Sequence, residues 1–145
     1  FMRRMTQISN VDVVTKEIND SKEIDDPQAI SKYSVPKGVD VFEINGPFFF
    51  GAAYKFKESI KYAKNPAKVL IIRMRHVPVI DATGLHTLEE VFRQTGKTNT
   101  KFIISGIQPA VLEEFKKSGL LGEIGESNVF TNIEDALKRA DEILK

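Results

Sequence analysis

The chain has 145 residues, no cysteine, a net charge of +1, 41% hydrophobic residues and 28% charged ones. This length suits one domain that buries roughly two-thirds of its unfolded surface, and the composition is globular rather than disordered. The near-zero charge excludes a global field that recruits nucleic acid, and the missing thiols exclude disulfides, a thiolate nucleophile and a cysteine metal site.

No apolar run approaches the roughly 20 residues needed to span a bilayer, and no signal peptide is recognisable. Position 1 is Phe rather than Met, so a piece of a longer chain is expected. Residues 1–20 carry mixed charge, with Val11, Val13, Val14 and Ile18 as candidate packing positions. The pair Arg3-Arg4 within Phe1–Met5 fits either an ordinary polar N-terminus or the cytoplasmic exit of a membrane helix. Residues 21–38, with Asp25, Asp26, Pro27, Pro36 and Gly38, read as a linker. The compact domain is expected over residues 39–145.

Strands and helices alternate from there. Val39–Ile44 reads as a strand stopped by Gly46-Pro47, and Phe48–Phe50 as a second, short one. A helix follows with Ala53, Phe56, Ile60 and Ala63 on one face, ended by Asn65-Pro66. Val69–Met74 is an apolar strand, and beyond Thr83 a helix turns Leu85, Leu88, Phe92 and Thr95 to one side. Phe102–Ile104 is the next strand. Pro109 suits the first turn of a helix packing Val111, Leu112 and Phe115, with Gly119 as its left-handed cap. A short strand at Val129-Phe130 precedes the last helix. There Thr131 and Glu134 have capping-box spacing, and Ile133, Ala136, Leu137, Ala140, Ile143 and Leu144 form a stripe. The sum is an α/β domain: a mostly parallel central sheet of about four to five strands with about four helices packed on it.

Enzyme motifs are scarce. The phosphate-loop, dinucleotide, nucleophile-elbow and zinc-protease patterns are all missing. His76 and His86 lack ligand spacing, so neither a metal nor a catalytic group is expected. The chemistry that can be read lies where the strand Val69–Met74 gives way to a helix, at Asp81-Ala82-Thr83-Gly84-Leu85. A helix start presents unpaired N–H groups and the positive end of the dipole. Thr83 there fits a helix cap, a phosphorylated hydroxyl, or the wall of an anion or nucleotide site, and capping is the commonest use.

Two further features stand out. Lys57, Lys61 and Lys64 return to one helix face, within a basic region that includes Arg73 and Arg75. That face is either merely solvated or turned to anionic lipid headgroups or phosphate. Phe48, Phe49 and Phe50 cannot all enter one core face of a strand. Either the run is covered on both sides, or a ring waits for a partner.

Three blocks carry a resemblance: Gly46–Ala53, Arg73–His86 and Ser105–Pro109. Ile80-Asp81-Ala82-Thr83-Gly84-Leu85 resembles the signature of the STAS domain, found in sulfate transporters and anti-sigma factor antagonists. The three blocks together are similar to the C-terminal cytoplasmic domain of bacterial sulfate permease family transporters, over residues 39–144. The resemblance implies a non-enzymatic regulatory and assembly domain of a secondary-active inorganic anion transporter, on the cytoplasmic face of the bacterial inner membrane. Its implied partners are its own transmembrane domain and a second protomer, without a cofactor or nucleic acid. Weak nucleotide binding has been proposed for the family, and no nucleotide motif here supports it. In free-standing antagonists the hydroxyl before the glycine is phosphorylated. Thr83 occupies that position and Ala82 replaces the preceding serine. The alternative function is a partner-switching protein with Thr83 as phospho-acceptor.

Overall fold

A computed structural model describes residues 10–13, 33–61 and 67–145. Its centre is a four-stranded sheet in the order β1-β2-β3-β4, formed by Asn10–Val13, Val39–Asn45, Val69–His76 and Lys101–Ser105. β2, β3 and β4 are parallel, in register Val39 with Val69 and Val69 with Lys101. β1 runs antiparallel to β2 at the edge, pairing Asn10 with Asn45. The sequence reading assigned no element to residues 10–13, and the sheet therefore takes in chain that precedes residue 39.

Among the described residues five α-helices follow: α1 (Phe50–Lys61), α2 (Ala82–Lys97), α3 (Pro109–Ser118), α4 (Leu120–Ile124) and α5 (Ile133–Leu144). The period-2 alternation of the strands sorts their side chains between two cores. Phe42, Ile44, Leu70, Ile72, Met74, Phe102 and Ile104 meet α1–α4 on one side. Val39, Val41, Val69, Ile71 and Ile103 meet Ile133, Ala136, Leu137 and Ala140 of α5 on the other. Each fully buried Leu, Ile or Phe contributes roughly 1.5–3 kcal/mol of transfer free energy.

Pro109 takes the first turn of α3, and Gly119 ends it at φ 87°, the left-handed cap expected. Several expectations need correction. Val129 makes a single bridge to Ile104 rather than a strand. The last helix is capped by Asn132, whose side chain accepts the Asp135 N–H at 2.7 Å, not by Thr131 and Glu134. α4 was not foreseen, because five residues show too little periodicity. Ala63 and the Asn65-Pro66 stop lie outside the described residues.

Candidate functional site: the carboxyl-end rim of the sheet

Three loops leave the carboxyl ends of β2, β3 and β4 and meet at one rim. The first two are joined by main chain. Gly46 N–H donates to the His76 carbonyl at 2.8 Å, and Phe48 N–H to the Val79 carbonyl at 3.0 Å. Phe48 also bridges Ile80 in parallel. The start of α2 closes on this pair. A Cβ at Gly84 would lie 2.8 Å from Ile80 Cγ1 and 2.9 Å from the Phe48 ring, inside any real contact distance. Only a glycine lets the helix approach so closely. The third loop is tied in by Gln108, whose Nε2 donates to the Arg75 carbonyl at 2.9 Å.

Asp81 caps α2. Its Oδ1 accepts the Gly84 N–H at 2.8 Å, with Asp81 itself in extended conformation. The expectation that Thr83 is the cap is thereby corrected. Ala82 is the first helical residue, so Thr83 lies inside the first turn, and the carboxylate one residue before the helix has taken the orphan donor. Thr83 and Ala82 are exposed, Gly84 is buried and Leu85 half-buried. The Thr83 hydroxyl has no hydrogen bond among the described residues.

The aromatic run divides. Phe48 is fully buried and stacks edge-on against Phe56 at 5.7 Å between centroids. Phe49 is 40% exposed and Phe50 76%. The run is not a strand, because only Phe48 bridges the sheet and Phe50 already opens α1. Helical rotation then turns Tyr54, one turn on from Phe50, outward with 64% exposure. Val79, whose carbonyl accepts the Phe48 N–H, is 43% exposed.

The rim is poor in charge. Across Gly46–Tyr54, His76–Leu88 and Ser105–Leu112 the sole acidic or basic side chain, histidines apart, is Asp81, already engaged as the cap. An aromatic surface depleted of charge is the composition of an interface core. Chain order was enough to show this depletion, but only the fold gathers the three stretches.

The basic region disperses. Lys57 is exposed and pairs with Glu90 of α2 at 3.4 Å, Lys61 is exposed at the end of α1, and Lys64 lies outside the described residues. Arg73 is 2% exposed and 3.9 Å from Glu43, and Arg75 binds Glu43 at 2.8 Å. These arginines belong to a buried ion cluster, not to a basic surface. The signal was available. Alternation places Glu43 on the side of Val39 and Val41, and Arg73 on the side of Val69 and Ile71, both inward.

On α2, Arg93 bridges Glu89 and Glu123 at 3.3 Å each. A hydrogen bond between the two carboxyls raises the pKa of Glu89 and lowers that of Glu123. Among the described residues no His, Asp and Glu cluster could hold a metal, and no helix is long and apolar enough to cross a membrane.

An α/β fold with three parallel strands, whose second crossover helix starts at Asp-Ala-Thr-Gly against an apolar rim, defines a narrow class. The STAS domain model matches residues 32–136, and the chain belongs to that family. It is similar to a solved sulfate transporter family protein from Wolinella succinogenes, at 42% identity and TM-score 0.80, covering 83% of this chain and 98% of that one. It is also similar to the SulP transporter STAS domain from Vibrio cholerae, at 34% identity and TM-score 0.68, covering 77% and 87%. Sulfate transporter 1.1 of Arabidopsis thaliana is 32% identical over 77 residues, 53% of this chain and 12% of that protein. The chain spans only 10–20% of the length of the curated relatives it matches.

Proposed function

We propose that this chain is the cytosolic regulatory and assembly domain of a secondary-active, sulfate-type inorganic anion transporter in the bacterial inner membrane. The observation that carries this reading is the 42% identity to a sulfate transporter family protein over 98% of that protein's chain. The domain performs no chemistry of its own. It acts by docking its charge-poor rim on the transporter's membrane part, or on the same rim of a second protomer.

Topology supports the docking side. β1 is antiparallel to β2, so Asn10 enters the sheet opposite Asn45, at the rim end. A membrane segment upstream of Asn10 would deliver the chain to the domain there. Phe49, Phe50 and Thr83 then face the partner, and a phosphate on Thr83 would place close to two negative charges in an apolar contact.

The test is sulfate uptake by cells expressing the complete reading frame. Phe50→Ser should lower uptake while the variant still reaches the membrane. Unchanged uptake in Phe49→Ser and Phe50→Ser alike would refute docking through the rim. A reading frame without membrane spans upstream would refute the transporter and favour the partner-switching alternative.

A further inference from the structure

The opposite end of the sheet holds a separate cavity of about 170 Å³, between the carboxyl ends of α1 and α2. Phe42 and Leu70 form its floor, and Ile60 and Ala67 its apolar walls. Its volume is close to that of an apolar cavity of about 150 Å³ known to take up benzene.

One wall carries Asp40. Strand alternation puts this carboxylate on the same side of β2 as Phe42 and Ile44, the side that builds the core. It is half-buried and has neither an ion pair nor a hydrogen bond among the described residues. A carboxylate drawn towards an apolar cavity without a partner is costly unless a cation meets it.

The remaining polar lining also offers acceptors. Thr95 Oγ1 donates to the Phe92 carbonyl at 2.9 Å, Thr98 Oγ1 to the Thr95 carbonyl at 3.1 Å, and Thr100 Oγ1 to the Ala67 carbonyl at 2.7 Å. Thr98 Oγ1 and Thr100 Oγ1 also lie 3.2 Å apart, with either able to donate to the other, and each hydroxyl oxygen can accept as well. The ends of two helices add partial negative charge. Lys61 also lines the cavity and has a partner of its own.

We propose that this cavity binds a small primary ammonium compound, its apolar body on Phe42 and Leu70 and its ammonium against Asp40. The assignment does not depend on the transporter reading, since it uses neither the rim nor any membrane part.

The experiment is amide NMR of the 145-residue chain titrated with phenethylamine, and with 3-phenylpropionate as the anionic counterpart. Phenethylamine should give saturable shifts centred on Thr98 and Thr100, with 3-phenylpropionate giving none. Asp40→Asn should weaken amine binding at least about tenfold, and Ala67→Leu should abolish it by filling the space. No saturable shift up to about 10 mM amine, equal binding of the two probes, or amine binding untouched by Asp40→Asn would each overturn the proposal.

Discussion

Gly84, in the first turn of α2, lies directly against Phe48, so the loop after β2 and the helix after β3 form one rigid block. A Cβ at Gly84 would collide with the Phe48 carbonyl oxygen and its ring at once. The carbonyl belongs to a residue bridged to Ile80 and cannot yield alone. Gly84→Ala should therefore cost about 1–3 kcal/mol, read as a lower denaturant midpoint with unchanged slope. A midpoint equal to wild type would mean that the block is soft.

The cap assignment separates two neighbours. Asp81→Ala should lose roughly 0.5–2 kcal/mol, since Asp81 alone accepts the Gly84 N–H. Thr83→Val should stay within about 0.5 kcal/mol, because its hydroxyl is exposed. Thermal melts of both variants decide, and a reversed order would return the cap to Thr83.

The aromatic residues Phe48, Phe50 and Tyr54 should behave in two ways. Phe48→Ala empties a fully buried site and should cost about 3–5 kcal/mol. Phe50→Ser and Tyr54→Ser remove exposed rings and should change stability by no more than about 0.5 kcal/mol. Urea unfolding of the three variants provides the comparison, and a large loss in Phe50→Ser would make that ring part of the core.

Glu43 is buried between two arginines. Glu43→Ala leaves Arg73 buried without that carboxylate and should cost about 3–5 kcal/mol. Calorimetric unfolding measures it. A loss no larger than that of a surface substitution would show that the cluster relaxes into water.

Glu89 and Glu123 should titrate on opposite sides of the ordinary glutamate value, Glu89 above it and Glu123 below, because one proton lies between them. The raised group favours the fold while protonated, and that gain is lost as pH rises through its folded value. The lowered group favours the fold once ionised, and that gain is lost as pH falls through its folded value. The two effects oppose each other in acid. In Glu123→Gln the Glu89 carboxyl should return towards its ordinary range, which side-chain carbonyl NMR detects. An unmoved Glu89 would remove the carboxyl pair as the cause.

The three parallel strands, the α3 boundaries at Pro109 and Gly119 and the stripe of α5 were legible because each depends on local pattern. Apolar runs, a fixed proline φ and a left-handed glycine act within a few residues. The signature at Ile80–Leu85 was legible as a motif, and so was the family it resembles. Periodicity misled at Phe48–Phe50, where a strand pattern was read across a helix start. A period of two and a period of 3.6 cannot be told apart over three residues.

The amino-acid sequence by itself determined the alternation of strands and helices, the family resemblance and the position of the helix-start motif, all properties of neighbours along the chain. The tertiary structure alone decided that Asp81 rather than Thr83 caps α2, that Arg73 and Arg75 turn inward to Glu43, and that three charge-poor stretches share one rim. It also decided that Asp40 opens on a cavity between two helix ends. The reason is physical: hydrogen bonding, ion pairing and burial depend on distance in space. Parallel strands bring together residues about thirty positions apart, as the register of Glu43 with Arg73 and of Arg73 with Ser105 shows.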